Sequence, residues 1–510
     1  MRKPILILAV LSLALVAMAG CGGNDEAASG AAELVPAGAS IYAEFTLEPE
    51  GDQKEAIDSI LSKFPGGGDA GEKLRDLLDN ALEQQEAPIS FRKDIEPWLG
   101  DEAAFFASGF APGGDFRSTA LLVATDDEDA STDALEKSAE GKLTRKEYKG
   151  TEYLMDESDE AAVVTDGFVG LGNEAGVKAV IDTLDDGSPL SDDDRYNDSI
   201  GDAAEDRLGL VYVNSPALLK SLRENNLPLP SSFNKFFEDP FVATLDADND
   251  GVTFEGSVPE DFAGATLFGR GSDVITELPG DSWLALGQAN FGAVVDFYVE
   301  ALSGTVGGRD TIDQQFRAAT GLDLQRDVID WMGDFAVFAR GTSISQLDGA
   351  LVIETKDEAA SGRLLSALER LARSQAGGTD AEIRPLSVPG GGEGFTTTVS
   401  PIPKPIHSFQ RDGRVVFAYG DAAARDALSA EGRLGDSPDF TAAVDSLGDD
   451  LDASVFVLVE PILQLAENSG AADDADWQRA KPYLEPLSAL IGGTSGEGDE
   501  LTSAIKLIVK

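Results

Sequence analysis

This chain has almost none of the residues that most reactive sites need. Cysteine occurs once in 510 residues and histidine once. A single cysteine excludes an internal disulfide and any metal site built from several cysteines. A single histidine, His407, leaves no His-rich zinc site. A Ser-His-Asp arrangement would depend on that residue alone, and no nucleophile elbow accompanies it. His407 follows prolines 401, 403 and 405, which is the setting of a surface histidine. Basic residues are also few. There are 39 against 92 acidic ones, a net charge of −53. Such a surface repels nucleic acid and anionic headgroups, so no nucleic-acid partner is expected. Solubility and mutual repulsion account for the charge.

Long apolar runs are missing as well. The longest, Ile5–Val16, is too short for a confident membrane span. It follows Arg2 and Lys3 and leads into Met18-Ala19-Gly20, the layout of a secretory signal peptide over residues 1–20. Removing Arg2 and Lys3 takes the charge from −53 to −55. The residue after the cut is Cys21. Met18-Ala19-Gly20-Cys21 resembles a bacterial lipobox, with Met where Leu is usual. The resemblance implies a diacylglycerol thioether on Cys21, and two acyl chains anchor stably where one is marginal. The expected location is the extracytoplasmic face of the cell membrane. Residues 21–32 are small, polar and glycine-rich, a flexible tether spanning roughly 20 Å.

What is present is hydrophobic content of 42%, ample for real cores. The length calls for more than one domain. The chain also reads as written twice. Lys93-Asp94-Ile95-Glu96-Pro97-Trp98-Leu99-Gly100-Asp101 returns as Arg326-Asp327-Val328-Ile329-Asp330-Trp331-Met332-Gly333-Asp334. Leu34–Phe45, Val163–Gly172, Ser188–Leu190, Leu208–Val213 and Phe241–Val258 have counterparts in the same order. Their offsets drift only from 233 to about 249 residues. The sequence thus predicts two copies, 33–268 and 273–510. The markers Trp98, Gly100, Asp101, Trp331, Gly333 and Asp334 are read as structural, because a catalytic residue need not survive in both halves.

Within a copy the periodicity alternates. Ser40–Thr46 reads as a strand and Gln53–Phe64 as a helix with one apolar face. A second helix begins near Asp69. Strands follow at Glu102–Ala107, Thr119–Thr125, Lys149–Met155, Ala162–Thr165 and Phe168–Gly172. Asp166-Gly167 and Asp412-Gly413 are hairpin turns. Helices are expected at Asn173–Thr183 and Asp421–Ser429, capped by Asn173 and Asp421. The predicted class is α+β, an antiparallel-sheet-plus-helices unit built in tandem.

Three motifs suggest chemistry and have plainer readings. Gly170-Leu171-Gly172 to Gly176 mimics a dinucleotide loop with its third glycine one residue late. Phe64–Leu74 hints at a phosphate loop but lacks the Ser or Thr after its lysine. Asp246, Asp248 and Asp250 with Gly251 resemble the start of a calcium loop. Ser257 stands where the bidentate glutamate belongs, so a hairpin turn fits better. Carboxylate pairs are too common here to mark a glycosidase. No cofactor is expected.

The opening Leu34–Glu44, Gly51-Asp52-Gln53 before a helix ending in Phe64-Pro65, and Pro97–Asp101 together resemble the family called domain of unknown function thirty-three fifty-two. Its members are bacterial, largely of actinobacterial type, and often carry a lipoprotein signal. That resemblance implies location and build, with no ligand or activity. The leading expectation is a non-enzymatic envelope lipoprotein that binds or scaffolds an envelope protein or a small molecule. The alternatives are a solute or cation carrier with its ligand between the copies, and a carboxylate-dependent hydrolase.

Overall fold

The computed structural model describes residues 30–67, 70–85, 87–111, 113–139, 142–201, 207–225, 237–259, 269–376, 381–386, 392–448, 451–496 and 500–510. Cys21, the signal and most of the tether lie outside them, as does Asp69. The chain forms two compact units, divided between Gly256 and Ser257.

The first unit is built on one antiparallel sheet. Its strands are β1 (Ile41–Thr46), β2 (Leu99–Phe110), β3 (Phe116–Thr125), β4 (Thr144–Tyr148), β5 (Thr151–Met155), β6 (Glu160–Thr165), β7 (Phe168–Asn173), β8 (Gly209–Val213), β9 (Phe241–Asp248) and β10 (Gly251–Pro259). Register pairs them in the order β10–β9–β8–β1–β2–β3–β7–β6–β5–β4, each antiparallel to its neighbour. The helices are α1 (Gly51–Ser62), α2 (Ala70–Gln84), α3 (Glu128–Ser138), α4 (Glu174–Asp186), α5 (Asp194–Ile200) and α6 (Ser215–Glu224).

Both faces of this sheet are covered. Alternate residues of each strand point to opposite faces, so Phe106 and Leu122 enter one core while Leu121 and Val123 enter another. The first core packs under α4 and α5 with Tyr42, Val177, Val180 and Tyr196. The second packs under α2 and α3 with Leu78, Leu82, Trp98 and Leu135.

The second unit, taken by itself, has strands β11 (Leu284–Gln288), β12 (Met332–Arg340), β13 (Asp348–Thr355), β14 (Ala381–Pro385), β15 (Glu393–Val399), β16 (Ile406–Arg411), β17 (Arg414–Tyr419), β18 (Asp452–Leu458), β19 (Leu487–Ser495) and β20 (Glu500–Val509). Their order is β20–β19–β18–β11–β12–β13–β17–β16–β15–β14, again antiparallel throughout. Its helices are α7 (Phe291–Val306), α8 (Arg309–Thr320), α9 (Glu358–Ala376), α10 (Asp421–Ser429), α11 (Pro438–Leu447), α12 (Val459–Asn468) and α13 (Ala475–Leu484). Two cores again flank the sheet, one with Phe338, Val352, Phe409 and Phe456, the other with Trp331, Phe335, Ile353 and Leu365.

The α+β class and the antiparallel sheets agree with the sequence reading. Asp166 and Gly167, both at positive φ, turn β6 into β7. Asn173 caps α4, its Oδ1 accepting from the Gly176 amide at 2.7 Å. Lys149-Gly150 is a turn, not strand, and joins β5 to the unforeseen β4. The dinucleotide-like glycines have a packing role. A Cβ on Gly172 or Gly176 would lie 2.0 Å from the Thr119 carbonyl oxygen, so these glycines let α4 sit against β3.

Candidate functional site

The repeated Trp motif folds into a structural knot in each unit. Phe91–Ile95 and Gln325–Ile329 are single π-helical turns. Trp98 Nε1–H donates to the Asp94 carbonyl at 2.6 Å, and Trp331 Nε1–H to the Asp327 carbonyl at 3.0 Å. Each aspartate then closes its turn from the other side. The Asp94 carboxylate accepts from the Ser90 amide at 2.8 Å, and that of Asp327 from the Asp323 amide at 2.9 Å. Arg326, then that amide and Arg363, hold the buried Asp327 well below the usual carboxylate range. Gly100 and Gly333 follow because the next strand passes too close for a side chain. A Cβ would come 2.8 Å from Ala124 Cβ at Gly100 and 2.9 Å from the Glu354 carbonyl at Gly333.

Asp101 and Asp334 align in sequence but part company in space. Three residues separate the paired positions Leu99 and Ala103 on β2, whereas two separate Met332 and Phe335 on β12. Asp101 is exposed and contributes its carbonyl to the Leu47 amide. Glu102 instead does what Asp334 does. The Glu102 carboxylate accepts from the Ala31 amide at 3.0 Å, and Asp334 from the Ser272 hydroxyl at 2.8 Å. Burial, first of all, pushes Glu102 up to about 7.

The calcium-like segment is a hairpin turn. Asp246 pairs with Thr253 between β9 and β10, and the Asp248 carboxylate accepts from the amides of Asp250 and Gly251 at 2.8 and 3.0 Å. One of the would-be ligand oxygens thus already closes the turn. The three aspartates fall in no cluster of metal-ligating groups among the described residues.

Two expectations, one about His407 on β16 and one about the start of α10, need correction. His407 is not a surface residue. It is fully buried, because β16 turns it to the same face as Phe409. Its Nδ1 meets Thr396 Oγ1 at 3.0 Å and its Nε2 meets Asp421 Oδ1 at 2.9 Å. Asp421 is not the N-cap of α10. Gly420 takes that position at φ 98°, and Asp421 is the first helical residue. The Thr396–His407–Asp421 line has the composition of a charge relay but the reverse exposure. Thr396 is 6% exposed and the Asp421 side chain 69%. The hydroxyl faces the interior, so the line ties β15 and β16 to α10.

Beside it stands a feature that sequence reading missed. Arg340, at the end of β12, is nearly buried and meets three carboxylates. Nε reaches Asp348 at 2.7 Å, Nη2 reaches Asp426 on α10 at 2.7 Å, and Nη1 reaches Asp281 at 3.0 Å. These partners lie up to 86 residues away in sequence, so no local pattern announces them. Around them opens a cleft of about 820 Å³, lined by Pro279, Gly280, Asp281, Arg340, Arg411, Arg425, Asp426 and the segment Ser429–Gly432. The first unit differs at the matching strand positions. The paired strand positions Arg340 and Asp348 correspond to Ser108 and Ser118 on β2 and β3 of the first unit. There the Ser108 hydroxyl is buried without a partner.

The family model described as "Protein of unknown function (DUF3352)" matches residues 4–510. No curated protein matches the chain. Among solved structures, crystal form IV of TP0453 is 14% identical over 47% of this chain and 85% of that one, with a TM-score of 0.25. Crystal form I is 13% identical over 46% and 79%, with the same score. Scores that low bear on neither fold nor function.

Proposed function

This chain belongs to the DUF3352 family of proteins of unknown function, and from that premise we propose that it is a lipid-anchored extracytoplasmic binding protein without catalytic activity. The observation that carries the binding role is the Arg340 cleft, present in the second unit where the first has two serines. A feature the first unit lacks, placed at an open cleft, is better explained by recognition than by stability.

The anchor rests on the lipobox-like Met18–Cys21. No helix of the described residues is long and apolar enough to cross a membrane. We also infer that copies 33–268 and 273–510 arose by tandem duplication. The identical strand order and the paired Trp–Asp turns support that reading. The first unit then acts as support and the second as the recognising unit.

Labelled fatty acid tests the anchor. It should enter the wild type and not Cys21→Ser, and equal labelling would remove this reading. In-cell crosslinking through a photoreactive residue at Glu431 should capture a small set of neighbours. Capture unchanged by Arg340→Met would count against the cleft.

A further inference from the structure

The lining of the cleft says what kind of ligand it suits. Three guanidinium groups (Arg340, Arg411, Arg425) and three carboxylates (Asp281, Asp426, Glu431) share a wall with no aromatic ring and no large aliphatic side chain. An apolar ligand has nothing there to bury against. In a chain of net charge −53, a wall where three arginines balance three carboxylates is locally neutral, relieved of the chain's general excess of negative charge.

The three arginines are not equivalent. Each of the three guanidinium nitrogens of Arg340 meets a carboxylate, so Arg340 shapes the cleft wall and is not the group left open to a ligand. Arg411 has an ion pair with Asp412 at 3.3 Å. Arg425 is exposed on α10, and among the described residues its guanidinium has neither an ion-pair nor a hydrogen-bond partner. It stands next to Asp426, whose carboxylate is already committed to Arg340. A planar guanidinium with unused donors matches carboxylate and phosphate oxygens in bidentate fashion.

We propose that this cleft binds the oxyanion group of a small polar molecule, a carboxylate or phosphate, with Arg425 as the principal contact and Arg411 as the second. This deepens the binding role proposed above by giving it a ligand class. The volume suits a molecule of metabolite size. A phosphate could be free in solution or part of a lipid headgroup, and the experiment separates the two sources.

The test is calorimetric titration of the full chain in detergent with inorganic phosphate and with succinate. A parallel arm measures binding to phosphatidylglycerol and phosphatidylcholine vesicles. Saturable binding of a free anion, weakened by salt and at least tenfold weaker in Arg425→Gln, supports the proposal with a soluble ligand. Binding confined to phosphatidylglycerol vesicles and lost in Arg425→Gln supports it with a headgroup. Arg425 makes no contact that folding needs, so the variant should melt like the wild type. Arg479→Gln, a change at a 77% exposed arginine elsewhere, should bind normally. No saturable binding of any probe at millimolar concentration overturns the proposal. Equal affinity of wild type and Arg425→Gln, or equal loss in Arg479→Gln, overturns it too. Neither result touches the anchor, which fatty-acid labelling decides separately.

Discussion

His407 meets Asp421 at 2.9 Å across a boundary, the imidazole fully buried and the carboxylate 69% exposed. The two ends of this contact should therefore differ in weight. His407→Ala removes a buried ring and leaves the Thr396 hydroxyl unpaired, for an expected loss of about 2–4 kcal/mol. Asp421→Asn loses a solvent-screened charge at the first residue of α10, for about 0.5 kcal/mol. Urea unfolding of both variants checks the order. Equal losses would mean that the pair, not the burial, carries the energy.

The strands and the Trp markers were legible because each depends on local pattern. Phe105 and Phe106 alternate between cores as period two demands. His407 was misread because three prolines before it signal a loop. The usable cue was its two-residue spacing from Phe409, which puts both on the inner face of β16. Strand β4, Thr144-Arg-Lys-Glu-Tyr148, was missed because its side chains are mostly exposed and polar. Asp101 was paired with Asp334 because a one-residue difference in strand register cannot be seen along the chain. The Arg340 cluster was invisible for a similar reason, since only the sheet brings β12, β13 and α10 together.

Gly333→Ala should destabilise the second unit. The new methyl would lie 2.9 Å from the Glu354 carbonyl, and backbone cannot rotate away as a side chain can. Overpacking of this kind costs about 1–3 kcal/mol. Thermal unfolding of Gly333→Ala beside the open-space substitution Gly432→Ala checks it. Matching midpoints would refute the close-approach argument.

Trp331→Phe keeps most of the buried ring and deletes one donor. The Asp327 carbonyl then loses its 3.0 Å partner inside a buried turn. The expected cost is about 1–3 kcal/mol, with the larger share from the unpaired carbonyl. Hydrogen exchange should rise at the amides of Gln325–Ile329 and stay unchanged in the first unit. Uniform change across both units would contradict a local knot.

Calcium should have no effect on the β9–β10 turn. The Asp248 carboxylate is engaged by the amides of Asp250 and Gly251. Asp248→Ala should lower stability by about 1 kcal/mol through loss of that turn cap. Calorimetry with millimolar calcium should give no saturable heat. Saturable heat that disappears in Asp248→Asn would restore the metal-loop reading.

Glu102 sets a pH dependence whose sign follows from its burial. Its carboxyl is pushed from an ordinary 4.5 up to about 7, first by burial and then by Glu44 and Asp101, against the Ala31 amide and Arg207. The folded state therefore keeps a proton that the unfolded chain releases. Stability from this group is full below about 4.5, falls as pH rises through about 7, and is level beyond. The whole shift corresponds to about 3 kcal/mol, reduced to about 1–3 by residual solvent. Glu102→Gln retains an acceptor for the Ala31 amide without the charge. It should match the wild type near pH 4.5 and exceed it by about 1–3 kcal/mol at pH 8. Glu48 is also raised to about 7, by burial and then by Asp101 and Asp126, so the single variant should keep part of the slope. Adding Glu48→Gln should flatten the rest. Urea midpoints from pH 4.5 to 8 decide the matter: if Glu102→Gln is the less stable protein at pH 8, the charge is favourably held and the burial argument is wrong.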